Sequence, residues 1–358
     1  MMYNYTYNNH FKFGYLQEDD NGMPVKKLYG QRRSESDEWI IEYGQCNEFS
    51  DFRTECISAA EKIYNNRQGA KIDVLFSGGS DSEIVLRSFY ELGVDFNVHI
   101  MRYDDYLNAH DWSYAYVICQ NLNIKPIFHD LNLLKFWGSS QFHDFAQQSK
   151  CVSPQLVTHM WLMNRMDNLP VMGSGECYTA RADIVLHRST DFTKTPYSTH
   201  VPWVMYEREK IACWYRFPMH HRQNAIPGFF QYTPEIILAF LTDPDSVKLY
   251  NNKCVGRLSN KNTKFDIYKK YWPELIDRKK WSGFEKVTDQ DIDLRRQLRN
   301  LYGDHEYEYW SECNYLVNYM TKQESVFPVN FSPRIRNPGL VNVSMEAVKK
   351  DLGEYLNY

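Results

Sequence analysis

The chain has 358 residues, 43% of them hydrophobic and 24% charged, with 41 Lys+Arg against 45 Asp+Glu for a net charge of −4. That length supports about two domains and a core that needs no disulfide or metal staples. The composition excludes collagen-like, low-complexity and wholly disordered chains. The lack of a basic excess argues against a general nucleic-acid binder, and no stretch reaches the ~18 apolar residues of a membrane span.

Aromatics make up 16% of the chain, with 27 Tyr. Many half-buried rings are expected, and stacking on a base or sugar is the sharper alternative. The opening MMYNYTYNNHF has no apolar h-region and no cleavage signature, so a cytoplasmic protein is expected. Cysteines at 46, 56, 119, 151, 177, 213, 254 and 313 form no C-x-x-C pair. Reduced, mostly buried thiols are expected.

In chain order, residues 1–69 read as an N-terminal α+β extension. MMYNYTYNNHFKFGY alternates aromatic and polar residues as one or two strands do, EDDNGMP is a turn, and Phe52, Cys56, Ala59, Ala60 and Ile63 mark a helix over 50–65. Lys71–Phe76 reads as a strand, Ser82–Leu92 as an amphipathic helix stopped at Gly93, and Phe96–Met101 as a second strand. Asp111–Leu122 follows as a helix with Asp111 as its cap, then a strand at Pro126–Leu131, a helix at Pro154–Met166 and a strand at Pro170–Gly173. Such alternation predicts an α/β fold: a parallel sheet with helices on both faces. Beyond residue 185 the pattern turns mainly helical. Thr233-Pro234 caps and opens a helix to about Leu241, with further helices at 264–272, 289–302, 306–322 and 345–357.

The chemistry concentrates in Ser77-Gly78-Gly79-Ser80-Asp81-Ser82, between the first strand of that run and the helix after it. Two glycines let the backbone turn tightly and approach an anion. The helix N-terminus points unpaired N–H groups at it, and three serines add hydroxyl donors. A phosphate or pyrophosphate is the expected ligand. Asp81 would repel phosphate directly, so its role is to hold Mg²⁺ bridging phosphate oxygens. No G-x-x-x-x-G-K-[ST] occurs, so the loop is not a Walker A loop.

The segment resembles the PP-loop, S-G-G-x-D-S, of the ATP pyrophosphatase superfamily. That resemblance implies an adenine nucleotide alpha hydrolase-like fold over residues 70–290 and attack of a substrate oxygen on the α-phosphate of ATP; the helical pattern beyond it reads as an extension over 291–358. Met172-Gly173-Ser174-Gly175-Glu176 is similar to the S-G-E-G-x-D-E segment of asparagine and β-lactam synthetases. Thr179 and Ala180 stand where that family has acidic residues, and Asp183 follows a turn later. Ile226–Leu241 resembles the family's P-F-L-D stretch, and Asp104–Leu122 its second crossover. Tyr271-Trp272-Pro273-Glu274-Leu275-Ile276-Asp277-Arg278-Lys279-Lys280 before Gly283-Phe284 resembles its l-P-x-x-i-x-x-R-x-K-x-G-F, with one extra residue after the lysine.

The resemblance implies particular roles. The backbone of Ser77, Gly78, Gly79, Ser80, Asp81 and Ser82 would bind ATP phosphates, with Asp81 on Mg²⁺. Lys280, with Lys279 second, would offset charge at the α-phosphate and the leaving pyrophosphate. Removing one such group commonly costs ~10²–10³ in rate. Glu176 would orient or deprotonate an amine. Adenine would lie near Leu75 and Ile100, with Ser174 and Gly175 close by. His129 is read as structural or nucleotide-facing. Asp191, Arg216, His220, His221 and Arg222 are polar residues in the region that shapes the acceptor pocket, and Arg334 and Arg336 read as a surface loop that could clasp an anion.

The expected activity is thus an asparagine synthetase-like ligase joining a small carboxylate to ammonia or an amine. About 70 residues precede the loop, and the first cysteine is Cys46. These residues do not resemble the glutaminase domain of such synthetases, so a separate glutaminase would be the partner where glutamine is the source. The alternatives are a PP-loop enzyme adenylylating a base in tRNA or another nucleic acid, and a non-catalytic nucleotide binder, the latter prompted by Thr179 and Ala180.

Overall fold

The structure is a computed structural model. It describes residues 11–28, 33–34, 38–43, 48–174, 179–181, 200–202, 208–221, 223–245, 264–276 and 284–302.

Strands β1 (Phe11–Glu18), β2 (Pro24–Leu28) and β3 (Glu38–Tyr43) form an antiparallel sheet in the order β2-β1-β3. The β1–β2 turn is built by Asp19, whose carboxylate accepts from the N–H groups of Asn21 and Met23, with Gly22 at φ +74°. Helix α1 (Phe52–Asn66) is capped by Asp51, which accepts from the Arg53 and Thr54 N–H groups. Its buried face is Phe52, Cys56, Ala59, Ala60 and Ile63, the set read from the spacing.

The centre of the molecule is a parallel sheet of β4 (Ile72–Leu75), β5 (Phe96–Tyr103), β6 (Ile127–Leu131) and β7 (Leu169–Met172). Its order is β6-β5-β4-β7. The chain builds outward from β4 to β6 and then crosses back to lay β7 on β4's other side, which puts the topological switch between β4 and β7. In open α/β sheets that switch point, at the carboxyl ends of the strands, is where ligands bind. Residues 226–228 extend the sheet beyond β7 by bridges from Val171 to Ile226 and from Gly173 to Gly228.

Both faces are covered. On one, Ile72, Val74, Phe76, Val98, Ile100 and Val171 join the apolar sides of α1, α2 (Ser80–Glu91) and α3 (Ala109–Asn121). On the other, Leu75, Met101, Tyr103, Leu131 and Met172 pack under α4 (Leu133–Trp137), α5 (Ser140–Ser149) and α6 (Pro154–Met163). A short antiparallel pair, β8 (Thr179–Arg181) with β9 (His200–Pro202), precedes α7 (Arg208–His221), whose Cys213, Trp214 and Phe217 complete the second core. Helices α8 (Pro234–Thr242) and α9 (Lys264–Tyr271) close over α1, and α10 (Thr288–Tyr302) ends the described chain. The α/β class with its parallel sheet is therefore as expected.

Three local expectations are corrected. Asp111 is not a cap: α3 starts two residues earlier with Asn108 at its N-cap. The Asn108 side chain instead turns to β5, accepting from Tyr103 N and donating to Met101 O. Thr233 occupies the N-cap position of α8, but its hydroxyl makes no capping bond. Helices α4, α5 and α7 were not foreseen. The helices expected over 306–322 and 345–357 lie outside the described residues.

Candidate functional site

Strand β4 delivers Phe76 into the core, and the chain then turns through Ser77–Gly79 into α2. Gly78 sits at φ +83°, and a Cβ there would lie 2.0 Å from the main-chain oxygen of Asp111. The position demands glycine for both conformation and space. The second glycine, Gly79, is the N-cap and brings no side chain to cap α2. The N–H groups of Ser80, Asp81 and Ser82 therefore have no carbonyl one turn back within the helix.

The serines divide their work. Ser82 Oγ accepts from Ser77 N at 3.3 Å, lies 3.0 Å from Ser77 Oγ and donates to Gly79 O at 3.0 Å. Ser77 Oγ in turn accepts from Gly79 N. These two hydroxyls brace the loop, Ser82 from a buried position and Ser77 from an exposed one, and Ser80 stands half-exposed at the first position of α2. The acidic residues also divide. Glu83 turns inward to a buried pair with Arg87 at 2.8 Å, and Arg87 continues to Glu274 at 2.9 Å. Asp81 accepts from the Tyr268 hydroxyl of α9 at 2.8 Å.

The end of β7 meets this loop. A Cβ on Gly173 would lie 2.9 Å from Ser82 Cα and N, so only a glycine lets the strand come so near. Ser174 follows directly and is half-buried. Beyond Gly173, Gly228 is covered by the Gln231 side chain and the Tyr215 hydroxyl, two buried polar groups that sequence reasoning missed. Gly175, Glu176, Asp183, Asp191, Arg222, Lys279, Lys280, Arg334 and Arg336 lie outside the described residues.

Leu75 and Ile100 are buried on opposite faces of the sheet. Leu75 has Met101 and Met172 on its own face, a difference set by the pleat of β5, which sends residues 100 and 101 opposite ways.

His129 belongs to a polar chain across the sheet. Its Nε2 is 2.9 Å from His99 Nδ1, and His99 Nε2 lies 3.2 Å from Asp73 Oδ1, at ion-pair distance but off the angle of a good hydrogen bond. Asp73 also accepts from Asn97 and Asn168. Burial works against the Asp73 charge, yet the nearby His99 imidazole and the bonds from Asn97 and Asn168 outweigh it and hold the carboxyl below its ordinary range. Burial first, then His99 and Arg165, push the His129 imidazole down, toward its neutral form. On α7, His221 bonds Gln148 at 2.8 Å beside His220.

A divalent cation bridging phosphates fits this arrangement. Magnesium keeps several waters and is held by one or two carboxylates together with substrate phosphates, not by a protein cage. Asp81, in the first turn of an uncapped helix N-terminus, would be the carboxylate to hold it. Among the described residues, no group of three or more His, Cys, Asp or Glu is gathered for a metal, and no helix is long and apolar enough to cross a membrane. Comparison with protein-family models and with curated protein sequences gives no match to this chain.

Proposed function

We propose that the chain is a PP-loop ATP pyrophosphatase acting as an amide-forming ligase, similar to asparagine synthetases. One observation carries this reading. The glycine-bearing turn after β4 runs into an uncapped helix N-terminus that is closed on one side by Gly173, at the switch point between β4 and β7. Backbone N–H groups aimed from a helix start suit phosphate. An aspartate in that same turn suits a metal ion, not the anion itself.

In the proposed reaction, the substrate carboxylate oxygen attacks the α-phosphorus of ATP and the bond to pyrophosphate breaks. An amine nitrogen then attacks the acyl carbon and AMP leaves. The loop backbone would hold the β,γ-phosphates, Asp81 would hold Mg²⁺, Lys280 would offset charge on the leaving group, and Glu176 would take the amine's proton. Bound Mg²⁺ would neutralise phosphate charge. Ser174 and Gly175 would lie by the nucleotide, and ammonia, an amine or a partner glutaminase would supply nitrogen.

The test is pyrophosphate release with MgATP, aspartate and ammonium. The native protein should form pyrophosphate and AMP in equal amounts, and Asp81→Ala should lower the rate at least ~10²-fold. ATP binding with no pyrophosphate from any carboxylate or amine would instead leave a nucleotide-binding protein. Turnover only with intact RNA would favour base adenylylation.

A further inference from the structure

Helix α9 reaches the loop through Tyr268. The Tyr268 ring is fully buried, and its hydroxyl donates to Asp81 Oδ1 at 2.8 Å. The ring lies nearly parallel to Phe52 of α1, at 5.4 Å and 6°, and to Phe230, at 6.3 Å and 8°. Phe240 of α8 meets it edge-on at 5.8 Å. A ring clasped on these sides cannot swing, so its phenol oxygen is a fixed point against which the Asp81 carboxylate is set.

We propose that Tyr268 is a positioning residue that presets the Asp81 carboxylate for a divalent cation on the bound nucleotide. The proposal rests on reading Ser77–Ser82 as a nucleotide loop. Two physical points support it. Magnesium demands near-ideal octahedral geometry, so a carboxylate already held in one orientation loses less freedom on binding it. A phenol is a neutral donor, so it orients the carboxylate without placing a positive charge beside the cation, as Lys or Arg would. A buried tyrosine hydroxyl needs a partner in any case, and here the partner is the one acidic residue of the loop that does not turn into the core.

The test is Tyr268→Phe, which keeps the clasped ring and removes only the donor. ATP binding is measured by calorimetry across a series of Mg²⁺ concentrations and in excess EDTA, for the native protein, Tyr268→Phe and Asp81→Asn. Tyr268→Phe should raise the Mg²⁺ concentration at half-effect about tenfold, the scale of one hydrogen bond to a charged group. Its affinity for metal-free ATP should stay within about twofold of native, which a merely structural role would not separate. Native Mg²⁺ dependence in Tyr268→Phe, with Asp81→Asn impaired, overturns the positioning role alone. A native protein that binds no ATP, or an Asp81→Asn that keeps its Mg²⁺ dependence, overturns the nucleotide-loop reading and this proposal with it. Should Tyr268→Phe fail to fold, 3-fluorotyrosine incorporated at position 268 alone retains the ring and the bond. Its ¹⁹F resonance should move when Mg²⁺ is added to the ATP-bound protein, and a resonance indifferent to Mg²⁺ overturns the proposal.

Discussion

Two glycines do different things at the loop, and alanine separates them. At Gly78 an alanine would meet both a positive φ and a carbonyl oxygen at 2.0 Å, so the backbone of α3 or of the loop must move. Gly78→Ala should destabilise the protein by about 2 kcal/mol or more, read from the denaturant midpoint, and abolish nucleotide binding. Gly173 has no positive φ; its Cβ would press on Ser82. Gly173→Ala should cost less stability and still weaken ATP binding at least ~10-fold by displacing the loop. Equal effects of the two on both readouts would show that Gly173 does not abut the loop. The loop residues were legible because a glycine pair between a strand and a helix has few other uses. That Leu75 and Ile100 face opposite ways was not legible, because sequence does not show which parity of one strand shares a face with a given residue of the next. The Asp73–His99–His129 chain left a fainter trace, namely ionisable residues inside the apolar strands KIDVLF and FNVHIM.

Among the elements, α9 is the joint between the loop and the helical cover. Besides Tyr268, its Lys270 bonds Asp243 at 2.8 Å at the end of α8, and its Tyr271 hydroxyl donates to the same carboxylate. Just past its end, the Trp272 indole donates to Glu91 of α2. Burial opposes the Asp243 charge, but bonds from Lys270, Tyr271 and the Asp245 N–H outweigh it, so the folded carboxyl titrates below its ordinary value. Bonding to Asp243 pushes the Lys270 ammonium up to about 12. For a lowered carboxyl, the unfolded chain binds the proton first as pH falls. The stability it contributes is then complete above the unfolded value of about 3.9 and is lost as pH drops through the folded one. Asp243→Asn should therefore cost about 1–2 kcal/mol at pH 7, discounted because Lys270 is partly exposed. The gap in melting temperature between native and variant should hold from about pH 5 to 8 and close below about pH 4. A gap that widens in acid would reverse the assigned sign. Helix α9 itself was legible from its spacing, but its partners were not, because Asp243 and Glu91 are distant in sequence. Helix α5 was readable in hindsight: Ser139 caps it, and Phe142, Phe145, Ala146 and Ser149 mark its buried face. Helix α7 was obscured by Pro218 within it.

At the scale of the whole molecule, strand–helix alternation fixed the class, whereas strand order and the division of the interior into two cores needed coordinates. Four thiols report on those cores. Cys56 and Cys119 lie on the buried faces of α1 and α3, and Cys151 and Cys213 lie in the core on the opposite face; all four are buried. Burial, with a smaller contribution from Glu83, pushes the Cys119 thiol up to about 12. Thiolate is the reactive form, so even a transient approach of reagent at pH 8 meets an almost wholly protonated sulfur. In the native protein, a thiol reagent with peptide mapping should leave these four unmodified until the chain opens. Both cores are built on the same four strands, so one cannot lose its packing without exposing the sheet that backs the other. In a urea series with brief labelling pulses, the two pairs should become reactive at one shared midpoint, the mark of a single cooperative unit. Earlier labelling of Cys151 and Cys213 would show that the α5–α6–α7 face opens independently, leaving the face that carries α1, α2 and α3 intact.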